Sequence, residues 1–119
     1  MILLDTNALI WLDTGHRRAR PLLDQAGPLR VSPASLLELQ FLEESGRIHL
    51  DLAAVVADDR WKIDDPPAFQ WMQRACEERW TRDPFDRLIV AHARLRGWRL
   101  ATADGAILQL LRARERVEL

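Results

Sequence analysis

At 119 residues the chain has the size of one domain, spanning residues 1–119 and long enough to bury a core without disulfides or a structural metal. Its apolar fraction of 48% and charged fraction of 29% are ordinary for a soluble globular protein, and no apolar run approaches the roughly 18 residues of a membrane span. The net charge of -1 does not by itself indicate a nucleic-acid partner, the lone Cys76 excludes an internal disulfide, and His16, His49 and His92 are too scattered for a zinc site.

The opening "MILLDTNALIWLD" meets an acid at its fifth position and carries no basic region or small-residue cleavage site, so it reads as a first strand and helix of a cytoplasmic protein rather than a signal peptide. The apolar run Ile2 to Leu4 is the strand and "TNALIWLD" the helix. A second helix is expected through "ARPLLDQAG", ended by its glycine. "LRVS" reads as a strand, after which Pro33 opens a helix whose apolar positions Leu36, Leu37, Leu39 and Leu42 run to a stop at Gly46. "DLAAVVADD" and "PAFQWMQRACEERW" are expected to be helical, with "RWKID" a weak strand between them. "RDPFDRLIVAHA" begins another helix, "WRLAT" is a strand, a helix starts at Asp104, and "RVEL" is a short terminal strand. Strands alternating with helices imply an α/β fold with a central parallel sheet covered by helices on both faces.

In a parallel sheet all strand C-termini lie on one edge, where ligands bind in open α/β folds. Asp5 directly follows the first strand and Asp104 follows "WRLAT", so both fall on that edge, although an aspartate between a strand and a helix is also a favoured N-cap. Asp86 lies in the first turn of its helix on the same stripe as Ile89, Val90 and Ala93, which points it inward and demands a partner. Asp83 precedes Pro84 in the position of a cap. Glu38 sits mid-helix among leucines, where a buried carboxylate needs either a salt-bridge partner or a shared site. Carboxylates ~5 Å apart repel by roughly 3 kcal/mol at an effective dielectric of 20, so a pocket shared by four of them calls for a cation. Oxygen donors alone favour a hard cation, Mg²⁺ or Mn²⁺, which can activate water and steady the leaving oxygen in a phosphodiester displacement.

The ordered set "LLDTNALIWL", "SLLEL", "RDPFDRLIVAHA" and "ATAD" resembles the PIN-domain nucleases, specifically the VapC toxins of bacterial type II toxin-antitoxin pairs, over essentially the whole chain. By that resemblance Asp5, Glu38, Asp86 and Asp104 match the acidic catalytic and metal-binding set, with Asp83 as an additional acid left open between metal site and cap. Thr6 and Thr102 match positions that steady the site by hydrogen bonds, and Asn7 falls in the same motif. The resemblance implies Mg²⁺- or Mn²⁺-dependent cleavage of RNA by metal-activated water, a homodimer and a cognate antitoxin. The chain departs from it in three places: Trp80 and Thr81 stand where the subgroup often has histidine, His92 stands where Gln or a small residue is commoner, and the C-terminal "GAILQLLRARERVEL" lacks the aromatic that many relatives have there. His92 is off Asp86's stripe, so a surface or interface position is expected for it.

Sixteen of the seventeen basic residues are arginine. Arg17, Arg18 and Arg20, or Arg112, Arg114 and Arg116, offer forked cations to phosphates, but an arginine-biased solvated surface explains either cluster more simply. Among rival functions, a phosphoaccepting receiver domain needs an acidic pair after the first strand, where "LLDTN" has one acid, and a haloacid-dehalogenase-type phosphatase needs a second aspartate where Asn7 stands. A PIN-fold housekeeping ribonuclease and a non-catalytic PIN interaction module are the nearer alternatives; the four complete acids count against the latter.

Overall fold

The computed structural model describes residues 1–25 and 27–119. Five short strands, β1 (Ile2–Leu4), β2 (Leu29–Val31), β3 (Trp61–Ile63), β4 (Arg99–Thr102) and β5 (Arg116–Glu118), form one sheet in the order β3-β2-β1-β4-β5. Every neighbouring pair is parallel, with Leu3 opposite Arg30 on one side and Leu100 on the other. The expected α/β architecture is therefore the observed one. Because strand side chains alternate between faces, Ile2 and Leu4 enter one core with Val31, Trp61, Ala101 and Val117, whereas Leu3 and Leu100 enter a second core on the other face.

Helices cover both faces. The first core is closed by α1 (Thr6–Thr14), α2 (Arg20–Leu23) and α4 (Leu52–Ala57), which contribute Leu9, Leu22 and Val55. The second is closed by α5 (Ala68–Glu77), α6 (Pro84–Arg96) and α7 (Gly105–Leu110), through Trp71, Ile89, Val90 and Ile107. The helix α3 (Pro33–Glu44) lies between the two, sending Leu39 to one core and Ala34 to the other.

The chain leaves each central strand into a capped helix. Asp5, Ser32 and Asp104 are the N-caps of α1, α3 and α7, each with a side-chain oxygen accepting a free backbone N–H. These three residues follow β1, β2 and β4, so three helix N-termini gather at one edge of the sheet. The edge that holds a site is thus made by the same residues that start the helices.

Three expectations are corrected. The second helix is only Arg20–Leu23, preceded by a 3-10 turn at Arg17–Ala19; it ends at Asp24, before Gly27, and the part expected at Ala26 lies outside the described residues. Helix α5 stops at Glu77 rather than reaching Trp80. Glu78, only 3% exposed, accepts hydrogen bonds from Arg94 and from the Trp80 indole, both at 2.8 Å, and this draws the chain off the helix axis. His92 is not at the surface but wholly buried, with Nε2 2.7 Å from Asp64 and its ring 5.3 Å from that of Trp71 and 6.0 Å from that of Trp98. Helix α6 is sandwiched between the sheet and α5, so its second face is interior as well.

Candidate active site

A pocket of about 240 Å³ opens beyond the C-terminal ends of the central strands, lined by Asp5, Glu38, Asp86 and Asp104 together with Thr6 and Asn7. All four acids expected from the sequence are therefore brought together, Asp5 and Asp104 from the N-caps of α1 and α7, Glu38 and Asp86 from within α3 and α6. Leu42 and Ile89 give the pocket an apolar wall, and Arg47 is the only cation lining it among the described residues.

Asp5 lies at the base, 8% exposed, with its backbone N–H bonded to the Ala101 carbonyl of β4 at 3.1 Å. Its Oδ1 accepts from the Ala8 N–H at 2.7 Å. Burial pushes its carboxyl from 3.8 up to about 6; hydrogen bonds from Thr102 and Ala8 hold it down in part, while Asp104 and Glu38 add repulsion. Thr102, fully buried, also accepts the Asp104 N–H at 3.0 Å, so one hydroxyl links the two acids.

Asp104 caps α7 through Oδ1 alone, accepting from Ala106 at 2.9 Å and Ile107 at 3.0 Å, which leaves its other oxygen for a further ligand. Glu38, half-buried on α3, accepts a short hydrogen bond from the Thr6 hydroxyl. Thr6 Oγ1 also lies 3.2 Å from Ser35 Oγ, and since a hydroxyl has one proton, Ser35 donates to Thr6 while Thr6 donates to Glu38. The salt bridge considered for Glu38 is replaced by this hydroxyl relay. Burial raises the Glu38 carboxyl, and Asp83 raises it further.

Asp86 is half-buried on the stripe with Ile89 and Val90, as helical phase requires, and no hydrogen-bond donor reaches its carboxylate among the described residues. Its carboxyl is pushed from 3.8 up to about 7, first by burial and then by Asp83, Asp104, Glu38 and Asp5. Asp83 is exposed and caps α6, its Oδ1 accepting from Phe85 at 2.8 Å and Asp86 at 3.3 Å. It does not line the pocket, yet it is near enough to repel both Asp86 and Glu38.

Among the described residues no three of these acids stand close enough together, as placed, to hold a metal ion between them. Two members of the site were missed by the sequence reading. Ser35 sits three residues before Glu38 on the same helical face, a spacing that could have found it. Arg47 follows Gly46, whose φ of 76° turns the chain back so that the Arg47 N–H bonds to the Leu42 carbonyl; no local pattern aims that arginine at the acids.

The sequence model of the PIN domain matches residues 2–112. The chain belongs to the PIN-domain family. This PIN domain is 30% identical over 112 residues to Ribonuclease VapC22 of Mycobacterium tuberculosis (strain ATCC 25618 / H37Rv), covering 87% of the chain and 86% of the relative. Its fold is similar to that of a toxin-antitoxin complex from Klebsiella pneumoniae, with a TM-score of 0.71, 21% identity and 100% of both chains covered. It is equally similar to VapBC2 from Rickettsia felis bound to a DNA fragment from its promoter, with a TM-score of 0.71 and 19% identity over 100% of this chain and 99% of that one.

Proposed function

We propose that this PIN domain is an endoribonuclease, the toxin of a type II toxin-antitoxin pair, and that it cleaves RNA phosphodiester bonds with Mg²⁺ or Mn²⁺ held by Asp5, Glu38, Asp86 and Asp104. The observation that carries the reading is the convergence of these carboxylates on one pocket at the C-terminal edge of the sheet. The 30% identity to a ribonuclease supports the choice of substrate.

The donor set fits a hard divalent ion. Asp5 and Asp86 are held protonated up to about 6 and about 7 by burial and by one another's neighbours, and a cation removes both penalties. Mg²⁺ keeps several waters and uses few carboxylates, so acids that do not close a shell by themselves suit it. When bound, such an ion lowers the pKa of water and neutralises charge on the phosphate.

The protein's own groups do the rest. Thr102 fixes Asp5 and the start of α7 together, and the Ser35–Thr6 relay fixes Glu38, so the carboxylate oxygens are aimed before the ion arrives. Arg47 is placed to take a non-bridging phosphate oxygen, and Asn7, exposed at the rim, offers an amide to the RNA. The exposed apolar side chains Leu37 and Phe41 on α3 and Phe69 and Met72 on α5, 47% to 71% exposed, are the groups we assign to contact with a second copy of the chain. The antitoxin inhibits by covering the acidic pocket with a basic side chain. Purified protein should cut single-stranded RNA in Mg²⁺, stop in EDTA and resume with excess Mg²⁺; folded protein that leaves RNA intact in Mg²⁺, or cuts it equally well in EDTA, would overturn the reading.

A further inference from the structure

A second and larger cavity, about 560 Å³, shares no residue with the acidic pocket and lies at the other end of β4. Four arginines line it: Arg74 from α5, Arg94 from the last turn of α6, Arg99 from the start of β4, and Arg114 from the 3-10 turn at Ala113–Glu115. Trp98 supplies an apolar wall, and Glu115 is the one carboxylate in the lining.

The charges are poorly matched inside the molecule. Arg94 is neutralised by buried Glu78 at 2.8 Å. Arg99 bonds at 2.9 Å to the Gln25 amide oxygen, a neutral partner that leaves its charge standing. Arg74 and Arg114 have no hydrogen-bond or ion-pair partner among the described residues, and Glu115 spends one oxygen on the Arg112 N–H at 2.7 Å. The negative end of the α6 dipole accounts for arginines in its own last turn, but not for those arriving from α5, β4 and the C-terminal turn. Three guanidinium charges, those of Arg74, Arg99 and Arg114, against the single Glu115 carboxylate leave a positive excess of about two at one concavity, which suits an oxyanion, and the planar fork fits phosphate through paired hydrogen bonds.

We propose that this cavity is a phosphate-binding site that holds a nucleotide phosphate away from the bond being cut. It rests on the ribonuclease reading only in naming the RNA backbone as the source of that phosphate; a free ribonucleotide presents the same group. The site would grip substrate outside the reaction centre and add affinity that the acidic pocket, repulsive to RNA without its ion, does not supply.

The test is RNA binding followed by fluorescence anisotropy in EDTA, over about 50 to 200 mM salt, for the wild type and for Arg74→Gln combined with Arg114→Gln. Loss of the one held phosphate should flatten the salt dependence of log Kd by roughly 0.7 on a single strand, and weaken low-salt binding about tenfold. Calorimetry with adenosine monophosphate is the second arm: binding lost in the variant while the RNA slope is unchanged assigns the site to a free nucleotide. Unchanged RNA slope together with unchanged, or absent, mononucleotide binding overturns the proposal. Should the double variant melt early, Arg114→Glu alone serves, since it lies in an exposed turn. Neither arginine touches the acidic pocket, so cleavage of a dinucleotide should proceed at the wild-type rate in every variant; a protein that binds RNA normally but never cleaves it contradicts the ribonuclease reading and not this one.

Discussion

Replacing Asp5 with asparagine removes a charge from the base of the acidic pocket and keeps the cap, because the amide oxygen can still accept the Ala8 N–H. A carboxyl held at about 6 instead of 3.8 costs about 3 kcal/mol to ionise in the fold, at about 1.4 kcal/mol for each tenfold change in proton affinity. The folded pKa lies above the unfolded one, so the protonated acid is harmless below 3.8, the cost grows as pH rises towards 6, and it is complete above that. At pH 8 in chelator, Asp5→Asn should therefore be the more stable protein, by up to about 3 kcal/mol or roughly 10 °C in Tm for a domain of this size. At pH 4 the two should melt almost together. Saturating Mg²⁺ should stabilise the wild type more than the variant, by linkage to binding, while RNA cleavage by the variant falls by orders of magnitude. Calorimetric melting at the two pH values, with and without Mg²⁺, reads all of this. A variant no more stable than wild type at pH 8 without metal would refute the electrostatic account of the pocket.

Asp83 and Asp86 should differ in kind: Asp86→Asn should lose orders of magnitude in single-turnover RNA cleavage with no loss of Tm, and a gain at pH 8 in chelator because its folded pKa of about 7 lies above the ordinary 3.8, whereas Asp83→Asn, which still caps α6, should be near neutral, and Asp83→Ala should cost about 0.5–2 kcal/mol of stability. Equal loss of cleavage in Asp83→Asn would put Asp83 in the metal site. Arg47→Ala should lower kcat/KM roughly ten- to hundredfold, the worth of a charge-assisted hydrogen bond of about 1.5–3 kcal/mol, and leave Tm unchanged because the side chain is exposed. Burial holds His92 below its ordinary 6.5, so the stability it contributes is present above that pH and lost as pH falls through its folded value. His92→Phe should accordingly flatten the decline of Tm on going from about pH 7 to pH 5; an identical profile in both proteins would remove His92 as the titrating group.

Three of the acids are legible because each sits at a place that chain chemistry marks, whereas Glu38, mid-helix among leucines, is assigned only through the family resemblance. Asp5 and Asp104 end strands and begin helices, and Asp86 shares a helical stripe with Ile89 and Val90, both buried. His92 was misplaced because a period of 3.6 identifies one inward face, whereas α6 has two: the sheet covers one and α5, through Trp71, covers the other. The arginines show the same limit. Arg112, Arg114 and Arg116 are neighbours in sequence but part company in space: the Arg116 guanidinium holds the Leu108 and Leu111 carbonyls at the end of α7, and of the three only Arg114 lines the basic cavity. Its companions there, Arg74, Arg94 and Arg99, come from three other elements, and Arg47 reaches the acids only through the turn at Gly46. Convergence of distant segments leaves no local period to read.

Mn²⁺ binding, followed by loss of the free-ion paramagnetic resonance signal, tests most directly whether the four carboxylates make a divalent-cation site for RNA cleavage. Wild type should take up Mn²⁺ in a saturable way that Mg²⁺ competes away, Asp86→Asn should bind far more weakly, and Asp83→Asn should bind as wild type does. Folded wild-type protein that leaves the free-ion signal untouched, or Asp86→Asn that binds as tightly as wild type, would contradict such a site.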